Sequence, residues 1–275
     1  MKRNLIALTI TVFTIALVPG CEKGDGYIIN HGPAELNNCQ IVQIIRDNFG
    51  PIDTVVFAYN NWGNPVSVIK LPKPFYMSGY NGPNYAFTYD KKHRLAEFIA
   101  MTPAETQPGG IRILLRRKYF YDNPGNDNIT RDSGYHEPTL ANFLSLTYYT
   151  YDKYGRVIKD STLANYAPAP LVNTYSYNSN GNRASVTYDS HTGNVYTTTF
   201  GTYDNKTNIL RTNKIWMFLS CDYSVNNPFV GVSYNSRGLP TQLNLFDKGA
   251  YGGNSQLRLC LDTYYDEAQI TYACK

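Results

Sequence analysis

Tyr151-Asp152-Lys153-Tyr154-Gly155-Arg156 writes a strand end, a turn and a new strand start in one short run. The Asp152 carboxylate is placed to accept hydrogen bonds from backbone amides two or three residues later. Gly155 then supplies the positive φ that closes a type I turn with a bulge. Arg156, Val157, Ile158 and Lys159 leave as the next strand. The tyrosine and its acid or amide recur at Tyr59-Asn60, Tyr89-Asp90, Tyr121-Asp122, Tyr177-Asn178, Tyr203-Asp204 and Tyr234-Asn235. Successive tyrosines lie 30, 32, 30, 26, 26 and 31 residues apart. Gly63, Gly125, Gly155, Gly181 and Gly238 each follow their tyrosine by four positions. Recurrence at this period means one supersecondary unit copied along the chain. His93 and Thr207 stand where two copies would carry the glycine, so those two turns are expected to differ.

The residues before each turn alternate. Phe57 and Tyr59, Phe87 and Tyr89, Tyr119 and Tyr121, Tyr149 and Tyr151, and Tyr175 and Tyr177 share one strand face, with mostly small or polar residues between them. A period of two marks a strand with one dry face and one wetter face. The predicted fold is therefore all-β: an antiparallel meander of about 14–16 strands, curled into a barrel or half-barrel because open sheets rarely exceed about ten strands without bending or splitting. Cys39–Arg46 and Ala268–Cys274 supply strands at the two ends. Ile215-Trp216-Met217-Phe218-Leu219 and the irregular stretch Asp132–Asn142 break the hairpin rhythm and are the candidate helical or irregular plugs. A membrane-spanning barrel would want a terminal aromatic residue and an outward apolar band, whereas this chain ends Tyr272-Ala273-Cys274-Lys275.

Lys2 and Arg3 lead into an uncharged run from Leu5 to Val18, the pattern of a secretory signal and too short to span a bilayer. Val18-Pro19-Gly20-Cys21 resembles a bacterial lipobox. That resemblance implies cleavage before Cys21, acyl chains on its sulfur, and attachment to membrane through the N-terminal lipid. The expected layout is a signal over residues 1–20, a tether over 21–38 and one β domain over 39–275. Loss of Lys2 and Arg3 reduces 25 basic residues to 23 against 21 acidic ones, a near-balance with no basic stripe and no nucleic-acid footprint. Cys39, Cys221, Cys260 and Cys274 then remain, an even number suited to disulfides in an exported chain, with connectivity open. Cys260 and Cys274 flank a predicted hairpin at Asp266-Glu267 and are a weakly preferred pair. The cysteine spacings match neither a zinc ribbon nor a CxxC redox site.

The Tyr-Asp-x-x-Gly-Arg turn is similar to the YD repeats of Rhs-type proteins, most clearly at Tyr151–Arg156. Tyr203-Asp204-Asn205-Lys206-Thr207-Asn208, with Tyr223-Ser224-Val225-Asn226-Asn227-Pro228, resembles lipoproteins of the Bacteroidota type that have a porin-like β fold. The resemblance covers most of residues 39–274. It implies a bacterial cell-envelope location at the outer membrane and brings no catalytic residues.

Chemical motifs are sparse. No Gly-x-Ser-x-Gly elbow, phosphate loop or His-Glu-x-x-His motif occurs, and no catalytic residue, metal site or cofactor is expected. Asp90, Asp122, Asp152 and Asp204 have a structural account in their turns. His31, His93, His136 and His191 read as solvated turn or loop residues. Arg112, Arg116, Arg117 and Lys118 form a basic run that reads as a solvated strand face, with anionic lipid or glycan as the functional reading. Trp62, at a turn tip, with Tyr80 and Tyr154, are the candidate glycan contacts, since sugar rings stack on aromatic faces. Thr54 and Ser161 each follow an aspartate and are low-grade O-glycosylation acceptors. The expected function is non-catalytic binding or scaffolding in the envelope, with glycan or another envelope protein as partner. The alternatives are a glycan-binding accessory to polysaccharide uptake and a hydrolase with an unfamiliar site.

Overall fold

A computed structural model describes residues 38–47, 53–71, 84–103, 111–122, 127–136, 142–228, 233–244 and 267–275. The signal, the Cys21 lipid site, His31, Tyr80 and Cys260 lie outside the described residues. The first strands are β1 (Cys39–Asp47), β2 (Asp53–Tyr59), β3 (Pro65–Leu71), β4 (Asn84–Tyr89) and β5 (Leu95–Pro103). They are followed by β6 (Ile111–Phe120), β7 (Arg131–His136), β8 (Asn142–Tyr151), β9 (Val157–Ala164) and β10 (Leu171–Tyr177). After β11 (Arg183–Asp189) and β12 (Val195–Thr199) come a 3-10 turn (Ile209–Thr212) and a single short helix, α1 (Lys214–Ser220). The last strands are β13 (Ser233–Tyr234), β14 (Pro240–Asn244) and β15 (Glu267–Cys274).

All fifteen strands form one antiparallel sheet in the order β12-β11-β10-β9-β8-β7-β6-β5-β4-β3-β2-β1-β15-β14-β13. The meander and its all-β class follow the hairpin repeat. Closure into a barrel does not: the sheet is open, because the end strands β12 and β13 do not pair with each other. Residues 200–228, which separate them in the chain, lack the alternating pattern and supply the 3-10 turn and helix instead. No helix among the described residues is long and apolar enough to cross a membrane.

The predicted dry face is the one that buries. Phe57, Phe87, Tyr119 and Tyr175 are buried while Ala58, Thr88 and Ser176 between the paired aromatics are exposed. Ile215–Leu219 packs on that face as one of the expected plugs. Trp216 is fully buried and meets the rings of Phe57 and Phe87 edge-on at 5.9 and 5.7 Å. Phe218 does the same to Tyr119 and Tyr149 at 5.6 and 5.0 Å. One short helix therefore fastens four successive hairpins through dispersion and aromatic edge contacts.

The second expected plug is corrected. Residues 131–136 are strand β7, paired with β6 and β8. Gly134 permits this: a Cβ there would sit 2.8 Å from the Ser145 Oγ. A stretch without hydrophobic alternation thus still enters the sheet where small residues let two strands approach.

The cysteine pairing is also settled differently. Cys39 and Cys274 are disulfide-bonded across a sequence separation of 235 residues, so Cys274 does not take Cys260. Antiparallel pairing of β1 with β15 puts Cys39 directly opposite Cys274, whereas the sequence offers only nearness along the chain. Cys221 is a free thiol, and burial pushes its pKa up.

Candidate ligand-binding site

The turn chemistry fixes the rim on which the site stands. Asp152 accepts from the backbone amides of Tyr154 and Arg156 through Oδ1, and from the Arg156 guanidinium through Oδ2. Asp90 does the same for Lys92 and Arg94. Asn60, Asn178 and Asn235 accept from the corresponding pair of amides. These acids and amides shape backbone, as their spacing indicates.

Each unit is then stitched to its neighbour. Arg94 lies over the Tyr121 ring at 4.0 Å and Arg156 over the Tyr177 ring at 4.1 Å, a cation–π contact between successive copies. The tyrosine hydroxyls donate to the strand-start carbonyls of the preceding unit: Tyr89 to Pro65, Tyr121 to Leu95, Tyr177 to Val157 and Tyr203 to Arg183. Tyr151 makes the same bond to Ile129. Burial raises the pKa of these phenols, which favours the neutral donor form.

His93 keeps the glycine-type turn. At φ 61 it occupies the left-handed region that Gly63, Gly155, Gly181 and Gly238 occupy in sibling turns. Its amide donates to the Asp90 carbonyl as the Gly155 amide donates to Asp152. The expected change of turn is therefore absent at His93. At Thr207 it is present: Asp204 keeps the bond from the Lys206 amide, but Thr207 bridges to Asn226, and Asp204 takes its further bonds from the Asn227 backbone, the Asn227 amide and the Tyr234 hydroxyl.

A cavity of about 520 Å³ opens between the turns carrying Trp62 and His93, the start of α1 and the paired chain ends at Asn38 and Cys274. Trp62 is 62% exposed and its ring lies 3.7 Å from that of His93, tilted by 34°. Polar groups converge from three directions: Gln40 on β1, Asn64 beside the Trp62 turn and Asn213 at the helix N-cap. Asn213 holds the arrangement together, accepting from the Ile215 amide and donating 2.8 Å to the Gly63 carbonyl. Asn64 donates to the His93 carbonyl at 3.3 Å, which ties the two turns side by side. Lys92 and Lys214 stand at the margin.

The three glycan candidates are not gathered at one place. Trp62 lines this cavity. Tyr154 belongs to the β8–β9 turn, packed by Arg156 at 5.0 Å and Lys153 at 4.9 Å, and Tyr80 lies outside the described residues. Thr54 and Ser161 are both within paired strands. Asp160, which would have to be read with Ser161, is buried and accepts from Tyr175 and Asn173. The basic run is split: Arg117 pairs with buried Asp132 at 2.8 Å, while Lys118 is exposed and faces the Tyr135 ring. No group of three or more potential metal ligands occurs among the described residues. Gln40, Asn64, Asn213 and His93 as site residues were missed in sequence. They converge through strand pairing and turn stacking, and only the histidine at a glycine position left a local signal.

No family model matches the chain, and no curated protein matches it. It is similar to the crystal structure of TcdB2-TccC3 without the hypervariable C-terminal region, at 19% identity and a TM-score of 0.31, over 74% of this chain and 12% of that one. A TcdB2-TccC3-TEV structure is matched at 16% identity and a TM-score of 0.21, over 74% of this chain and 13% of that one. The chain spans about an eighth of the length of those structures. The likeness is distant and assigns no family.

Proposed function

We propose that this chain is a non-catalytic binding module of the bacterial cell envelope, tethered through Cys21, that takes a glycan at the Trp62–His93 cavity. The observation that carries this reading is the exposed Trp62 ring braced by His93 over a cavity lined with side-chain amides. The C–H faces of sugar rings pack on such a ring, and their hydroxyls donate to the side-chain oxygens of amides such as Asn64 and Gln40, whose nitrogens are held by the turn carbonyls. A few convergent polar groups around an aromatic wall are the usual make-up of a small-ligand site. None of the described lining residues is Asp or Glu, so the paired carboxylates a hydrolase would need are not found at this cavity. The lipobox-like segment and basic N-terminus support the tether.

The bonds made by residues 200–228 support a finer view of the sheet. Asn226 exchanges hydrogen bonds with Asn182, beside β11, and Thr207 donates to the Arg237 carbonyl of the β13–β14 turn. A sheet bending round until both ends meet this segment would form one ring of turns, with the cavity on its rim.

Polysaccharide pull-down with wild type, Trp62→Ala and His93→Gly tests the reading. Wild type should be retained and both variants lost, while both stay folded: Trp62 is exposed, and glycine relieves the left-handed strain at position 93 by about 1 kcal/mol. Equal retention of all three would place any sugar binding elsewhere.

A further inference from the structure

We infer that the ligand class at this cavity is an anionic glycan, one bearing carboxylate or sulfate groups; the inference rests on the glycan reading above. Three lysines line the cavity with the exposed tryptophan: Lys92, Lys214 and, at the chain end, Lys275. Lys92 is carried by the same turn as His93, and Lys214 is the first residue of α1, directly after Asn213. Both are exposed, and among the described residues neither forms an ion pair with a carboxylate.

Two sibling turns hold an arginine on their own acid: Arg94 with Asp90 at 2.8 Å and Arg156 with Asp152 at 2.7 Å. In the Trp62 turn the acid position is Asn60, so this copy brings no carboxylate to the cavity. The one acid beside Lys92, Asp90, is engaged by Arg94 and by two backbone amides. The site thus combines an aromatic platform, neutral amides and two unneutralised cations, with no acidic side chain among its described lining. A neutral sugar would use the first two features only. An acidic sugar uses all three, because each ammonium gives a charge-assisted hydrogen bond to an oxyanion.

The lysines reach the cavity from elements held independently. The Lys92 amide is fixed by Asp90, and the helix start is fixed by Asn213 to the Trp62 turn. The backbones that carry the two lysines are therefore held in place, while the ammonium groups reach out on flexible side chains.

A glycan array carrying neutral, uronic-acid, sialylated and sulfated glycans, probed with the full-length chain, tests this. Binding confined to acidic glycans, abolished in Trp62→Ala and reduced about tenfold in each of Lys92→Gln and Lys214→Gln, supports the inference. The affinity should also fall as salt is raised from about 50 to 300 mM, less steeply in the double lysine variant. Binding to neutral glycans that is lost in Trp62→Ala but unchanged in the lysine variants overturns the anionic class and leaves the glycan reading intact. Absence of binding to every glycan, with wild type and Trp62→Ala alike, overturns both.

Discussion

At the scale of single residues, Asp152 holds a turn of backbone, whereas Asp160 sits buried among side chains. Asp152 receives two amide hydrogens on one oxygen and the guanidinium of nearly buried Arg156 on the other. Asp152→Ala removes all three and strands the arginine charge, at a cost of about 2–3 kcal/mol in urea unfolding. Asp152→Asn keeps the amide acceptor and should lose about half as much; equal losses would mean that the amide bonds contribute nothing and the ion pair carries the whole effect. Asp160 behaves differently. Burial pushes its carboxyl above the usual range, against the lowering effect of the bonds from Tyr175 and Asn173. The folded state then holds the proton more tightly than the unfolded chain, so stability declines as pH rises from the unfolded value near 4 through the folded one. Asp160→Asn removes that titration. Urea unfolding between about pH 4 and 7 should show wild type losing ground to the variant as pH rises, and parallel curves would refute the assignment.

At the scale of elements, hairpins were legible in sequence because their signal is local. Aromatic–small–aromatic alternation followed by acid and glycine names a strand and its turn without reference to anything distant, and Tyr149–Lys159 folds as it reads. Other features carry no such local signature. β7 joins the sheet through Gly134 against Ser145, and His93 keeps its turn although it lacks the usual glycine. The helix is an intermediate case: Ile215–Leu219 is evidently apolar, but only packing shows which hairpins it fastens. The side chains of the two tryptophans report on this division, since Trp62 is 62% exposed and Trp216 fully buried. Trp216→Ala should cost about 3–5 kcal/mol by opening a cavity against Phe57 and Phe87, whereas Trp62→Ala should change stability by under about 0.5 kcal/mol. In single-tryptophan chains, iodide should quench fluorescence of the Trp216→Phe protein strongly and that of the Trp62→Phe protein weakly. The reverse order would move the helix off the sheet.

At the scale of the whole molecule, the chain ends complete the repeat. β1 and β15 pair with Cys39 opposite Cys274 and Ile41 opposite Tyr272, the same relation that Pro65 bears to Tyr59 within an unbroken hairpin. The Tyr272 hydroxyl donates 2.7 Å to the Pro240 carbonyl, as the other repeat tyrosines donate to the units before them. A further hairpin of the same kind is therefore built from the two ends of the described sheet segment, with a disulfide where its siblings have a turn. The sequence hid it because its tyrosine lacks the following acid and its two strands lie 235 residues apart at the cysteines. A covalent link over so long a loop removes much of the freedom of the unfolded chain, worth about 3–5 kcal/mol where native geometry is unstrained. Cys39→Ser with Cys274→Ser should lower the melting temperature by about 10 °C, and reductant should lower wild type to the same value while leaving the variant unchanged. The same reduction should weaken ligand capture, because Gln40 and Cys274 form one wall of the Trp62 cavity. A variant that melts with wild type would show that strand pairing alone holds the ends together.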